Sequence, residues 1–144
     1  MLLRNLTAFA FTALLALAYS TAATAESDQK MKTFKGAGSM ELASMDMEGV
    51  NAFIADVVSS NDPDAPITCG LFRMEKGDPL KYTYTYDEAK IIVEGEMTIA
   101  EEGGETFHAV AGDVIYFDKG AAITFSSNSS GLGFYCGQRT QEEL

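Results

Sequence analysis

From Asn51 onward the chain is cut at short, regular intervals by turn residues, and nothing between the cuts shows the i, i+3, i+4 pattern of a long helix. The runs Phe53–Val58, Ile67–Met74, Tyr82–Tyr86, Ala89–Val93, Met97–Ala100, Thr106–Val110, Val114–Phe117, Ala122–Phe125 and Leu132–Cys136 are apolar, β-branched or alternating, each of strand length. Between them stand Ser59–Asp64, Lys76-Gly77-Asp78-Pro79, Glu94-Gly95-Glu96, Gly103-Gly104, Ala111-Gly112-Asp113 and Asp118-Lys119-Gly120. Within Tyr82–Tyr86 the tyrosines alternate with Thr83 and Thr85, the period of two of a strand. Short strands at this spacing predict an all-β sandwich or barrel. A closed sheet also removes the exposed edges that invite aggregation.

The first 25 residues have another character. Arg4 precedes an apolar run, Ala8–Ala18, and Ala23-Thr24-Ala25 offers small residues where a signal peptidase reads. Residues 1–25 therefore read as a cleaved export signal, the other reading being an uncleaved N-terminal anchor. No later apolar stretch reaches the roughly 18 residues of a membrane span, so no membrane association is expected after cleavage. Cleavage leaves about 119 residues, enough for one modest core. All 21 acidic residues but only nine of the ten basic ones follow the leader, for a formal charge of −12. Nucleic acid and anionic lipid are bound through clustered Lys and Arg, which this chain lacks, so neither is expected as a partner. A periplasmic or secreted location is expected.

The mature part divides into an irregular lead-in over residues 26–50, a barrel over 51–139 and a tail over 140–144. Met40, Met45 and Met47 in the lead-in are soft ligands that suit copper, or else gap-fillers under a barrel rim. Cys69 and Cys136 can form a disulfide in an oxidising compartment, or can be two buried thiols that never meet.

Two pieces carry a family resemblance: Tyr86-Asp87-Glu88 followed by Val93–Glu96 (VEGE), and Ala111–Gly120 (AGDVIYFDKG), with the Gly-Gly hairpin between them. Together they resemble the cupin superfamily, and within it the EutQ-like cupins of ethanolamine utilisation, over roughly Ala52–Arg139. The resemblance implies a single jelly-roll barrel. Cupins commonly bind a metal through H-x-H-x3-E-x6-G and G-x5-P-x-G-x2-H. Anchored on Gly95, the first pattern puts Tyr82 and Tyr84 at its histidine positions and Glu88 at its glutamate. The second begins at Gly112 and has Gly120 in place, but it puts Asp118 at the proline and Ile123 at the histidine. One ligand of four remains, too few for tight transition-metal binding. A metal-free protein without a cofactor is expected. The lone His108 matches neither pattern.

If the barrel mouth sits where other cupins keep their site, alternation turns Tyr82, Tyr84 and Glu88 inward, with Lys90 sharing their parity. A bulge between Tyr84 and Glu88 would alter this. Such a set can bind a small polar molecule, or move protons in an isomerase-like step with Glu88 as the catalytic carboxylate and Tyr82 or Tyr84 as its partner. The plainer alternative is an interaction module, with tyrosines packing a half-buried face and a solvated Glu-Lys pair. Homodimerisation is expected by analogy with cupins. EutQ-like proteins are linked to acetate kinase activity. That activity is not expected here, because ATP is absent outside the cytoplasm and the chain has no G-x4-G-K-[ST] phosphate loop.

Overall fold

The punctuated runs become nine strands in the computed structural model, which describes residues 30–141. The leader of residues 1–25 lies outside the described residues, as does the tail beyond Gln141. The strands are β1 (Ala43–Ser44), β2 (Ala52–Ser59), β3 (Thr68–Glu75), β4 (Leu80–Thr83), β5 (Glu88–Glu101), β6 (Thr106–Val110), β7 (Val114–Phe117), β8 (Ala122–Ser126) and β9 (Ser130–Gly137). Every pairing is antiparallel. One leaf has the order β1-β2-β3-β9-β5-β7, and the other β4-β8-β5-β6.

The 14-residue β5 belongs to both leaves and turns the corner between them. Its pairing with β9 slips between Ile92 and Glu94, and Gly95 then adopts φ 68°. That left-handed conformation suits glycine, and a Cβ there would also run into the Ser130 carbonyl oxygen. The turn signal at Glu94-Gly95-Glu96 therefore bends one strand, where two separate strands were expected. The result is a curled all-β jelly roll.

Two other expectations change. Tyr82–Tyr86 is not one strand: β4 ends at Thr83, and Tyr84–Asp87 bends away from β8. There the Tyr84 N–H donates to the Ala121 carbonyl at 2.9 Å, and the Gly120 N–H donates to the Tyr84 carbonyl at 2.8 Å. The Asp118–Ala121 turn thus takes over the pairing that a straight strand would have had, and Asp87 Oδ1 accepts from Lys119 N–H at 2.7 Å. The lead-in is not wholly irregular either, since it holds a 3-10 turn at Ala37–Ser39 and the edge strand β1.

Between the leaves pack Phe72, Met74, Leu80, Ile92, Met97, Ile99, Phe117, Ile123 and Phe125, all buried. Each such side chain contributes about 1.5–3 kcal/mol when removed from water. An aromatic row crosses this core: Tyr84 stacks on Phe117 at 4.6 Å, Phe117 meets Phe125 edge-on at 5.7 Å, and Phe125 meets Phe72 at 5.4 Å. Cys69 and Cys136 lie directly opposite in the β3–β9 register and are joined as a disulfide, tying the first long strands to the last.

Candidate functional site

At the start of β5, alternation sends Glu88 and Lys90 inward while Ala89 and Ile91 face out. Glu88 lies between Phe117 of β7 and Gly137 of β9, and Lys90 between Ile115 and Tyr135. The lysine stem fits inside because residue 133 is glycine: a Cβ there would sit 3.0 Å from Lys90 Cγ and Cδ. Lys90 Nζ reaches Glu88 Oε1 at 3.0 Å, and the two side chains are only 4% and 5% exposed. The rings of Phe72, Tyr135 and Phe125 surround the ammonium at 4.7, 5.0 and 5.6 Å.

Tyr84 donates its hydroxyl to the same Glu88 oxygen at 2.9 Å. Tyr82 does not reach Glu88; its hydroxyl shares a hydrogen bond of 3.1 Å with that of Tyr86. Tyr82, Tyr84, Glu88 and Lys90 all border one cavity of about 30 Å³, together with Tyr86, Tyr135, Phe72, Phe125, Leu80, Ile54 and Met45. That is room for about one water molecule. Most of the lining is buried; the half-buried members, Met45, Ile54 and Tyr82, lie on the solvent side.

Burial and then the Glu88 charge push the Tyr84 phenol up, so it remains a protonated donor at neutral pH. Burial also raises Tyr86, where the Tyr82 hydrogen bond adds to the effect. For Lys90, loss of solvation lowers the pKa and outweighs the opposing pull of Glu88.

A second charged group backs this wall. Arg139, fully buried, grips Asp56 through Nη2–Oδ1 at 2.6 Å and Nη1–Oδ2 at 3.2 Å, and Tyr135 donates to Asp56 Oδ1 at 2.6 Å. Burial pulls the Arg139 guanidinium down, but Asp56 overcompensates and holds it firmly charged. Asp56 sits where the β2–β3 register slips, which turns its carboxylate toward the C-terminal segment. The sequence reading missed Asp56, Tyr135 and Arg139. The available signal was one acid inside the apolar run Phe53–Val58.

Ile123, at the second-motif histidine position, is buried opposite Tyr82 in the β4–β8 register. His108 is 59% exposed, with Nδ1 3.8 Å from Glu96 Oε2, away from the cavity. Met45 packs against the core, whereas Met40 and Met47 are exposed. Among the described residues, no three His, Cys, Asp or Glu side chains are placed to hold a metal ion.

Comparison with known proteins follows the same lines. The family model for ethanolamine utilisation protein EutQ matches residues 16–137. Acetate kinase EutQ of Escherichia coli K12 is 34% identical over 77 residues, which cover 54% of this chain and 32% of that protein. The chain thus spans about a third of the length of the curated relatives it matches. The solved structure of the Clostridium difficile EutQ protein superposes with a TM-score of 0.62 at 19% identity, covering 72% of this chain and 77% of that one. The cupin domain of Schizosaccharomyces pombe Cnp3 superposes with a TM-score of 0.57 at 13% identity, covering 74% and 69%, a likeness of fold alone. With the family pattern matched along most of its length and a cupin jelly roll beneath it, the chain belongs to the ethanolamine utilisation protein EutQ family.

Proposed function

We propose that this protein is an exported, metal-independent cupin that binds a small polar molecule at the Glu88–Lys90 pair inside the barrel. One observation carries the reading: an ion pair almost wholly removed from water borders the interior cavity. Burying two charges costs several kcal/mol, and apolar side chains of similar volume commonly give equal or greater stability. Strongly perturbed groups beside a cavity mark functional sites.

The donor set does not suit a transition-metal ion. Glu88 Oε1 is already shared by an ammonium and a phenol, the Lys90 charge would repel a second cation, and Ile123 and two phenols stand at the other ligand positions. The leader composition and the Cys69–Cys136 bridge support export into an oxidising compartment. The acetate kinase activity named for the E. coli relative belongs to a much longer protein and is not part of this proposal.

A ligand larger than water enters by displacing the half-buried Met45 or Tyr82. The test is a thermal-shift screen of small carboxylates, amines and sugars on the mature protein, repeated with Glu88→Gln. A hit should raise the melting temperature of the wild type and lose at least tenfold in affinity in the variant, about 1.4 kcal/mol. A hit unaffected by the variant, or one equivalent of zinc, iron or manganese retained after desalting, would overturn the reading. The Tyr84–Glu88 hydrogen bond favours a second reading, in which Tyr84 is the acid and Glu88 the base of a metal-independent isomerase-like step. In that case Glu88→Gln abolishes turnover of a hit while binding persists.

A further inference from the structure

We propose that Lys90 is a carbonyl-reactive lysine, whose amine condenses with aldehydes of one or two carbons inside the barrel while Glu88 moves the protons. This rests on the reading of the cavity as a binding site and names its ligand class.

Four features of the site lead there. Nζ is held in one place, by the stem packed against Gly133 and by the 3.0 Å contact with Glu88 Oε1. The cavity beside it is lined by one amine, one carboxylate, four phenols and otherwise apolar side chains, so an entering electrophile meets a single nucleophilic nitrogen. Its volume of about 30 Å³ favours carbonyl compounds of a few heavy atoms, which need the least displacement of Met45 or Tyr82. Burial also disfavours the ammonium, and the nearby Arg139 charge adds to that, against the opposing charge of Glu88. Desolvated lysines in apolar pockets are the ones that form Schiff bases.

The proton balance closes within the pair. One Nζ proton passes along the contact to Glu88, leaving a neutral amine beside a carboxylic acid. The nitrogen lone pair forms a C–N bond to the carbonyl carbon, and the C=O π pair moves to oxygen, which takes the proton from Glu88. The nitrogen, now cationic, returns a proton to the Glu88 carboxylate. Glu88 then delivers it to the hydroxyl as the C–O bond breaks and water leaves. The product is a protonated imine, with the same charge as the original ammonium and the same carboxylate partner. No oxidant or reductant is needed. Tyr84, hydrogen-bonded to Glu88 throughout, is a positioning residue.

The experiment exposes folded mature protein to limiting formaldehyde or acetaldehyde between pH 6 and 9. Borohydride then traps imines, and modification is read lysine by lysine by mass spectrometry. At neutral pH Lys90 should be labelled at least about tenfold faster than any of the six other lysines. A solvated alkylammonium gains free amine about tenfold per pH unit over this range, and labelling of Lys90 should rise less steeply than that. Glu88→Gln, checked for folding by its thermal melt, should slow Lys90 and leave the others unchanged. Labelling of Lys90 no faster than the surface lysines overturns the proposal. If unreactive alcohols or amides of the same size still raise the melting temperature, the binding site stands without the chemistry. If they do not, both readings fail.

Discussion

Asp56 shows how much can depend on one side chain that the sequence hardly marks. Its carboxylate takes Arg139 and Tyr135 together, and Arg139 also bonds the Thr140 carbonyl while Thr68 caps the Arg139 carbonyl at 2.8 Å. Replacing Asp56 by Asn would leave a fully buried guanidinium without its counter-charge, a change that costs about 3–5 kcal/mol. Urea denaturation of Asp56→Asn should show a loss in that range, and the double change Asp56→Asn/Arg139→Met, which leaves no buried charge without a partner, should cost less. Equal losses would mean that the ion pair is not what holds this wall. Glu88 and Lys90, by contrast, were legible: they share the parity of Tyr82 and Tyr84, and the bend at Tyr84–Asp87 preserved it. Asp56 and Arg139 were not, because an acid in β2 and a base just past β9 become neighbours only through strand pairings that no local pattern encodes.

At the scale of elements, β5 is the organiser, and its bend is secured from outside by the β8–β9 loop. Glu96, just past the bend, accepts through Oε1 from Ser127 Oγ at 2.7 Å, Asn128 N–H at 3.0 Å, and Ser129 N–H and Oγ at 3.1 and 2.9 Å. The Ser127 hydrogen bond, helped by those of Asn128 and Ser129 and opposed by burial, holds its carboxyl below the usual range. A depressed carboxylate stabilises the fold above its unfolded pKa near 4.3, and that stabilisation is lost as pH falls through the lower folded value. Glu96→Gln should therefore cost about 1 kcal/mol at neutral pH, a charged hydrogen-bond cluster discounted for its partial exposure. The gap between wild type and variant should be constant above pH 5 and shrink below pH 4. A gap independent of pH would sink this account. The strands themselves were legible from their alternation and turns. The continuity of β5 was not, because Glu94-Gly95-Glu96 has the composition of a turn, and only the Ser130 carbonyl packed against Gly95 makes it a bend.

For the molecule as a whole, the disulfide decides how far the chain can loosen. Cys69 and Cys136 are 67 residues apart and sit opposite each other on neighbouring strands that also carry Phe72 and Tyr135, two walls of the cavity. The sequence allowed this bridge without requiring it, because the proximity of the two Cα atoms follows from β3 pairing with β9 across most of the fold. In the chain-entropy view, closing a loop of that length removes about 4 kcal/mol of freedom from the unfolded state. The formal net charge of −11 opposes compaction throughout. One closed loop is then a large share of the roughly 5–15 kcal/mol that holds a domain of this size. Reduction, or the Cys69→Ser/Cys136→Ser pair, should lower the melting temperature by about 10 °C or more. It should also blunt the response to any cavity ligand, since Tyr135 and Gly133 lie on the released strand. A reduced protein melting within about 2 °C of the oxidised one would show instead that the strand pairing and the Asp56–Arg139 clamp hold β9 without help from the sulfurs.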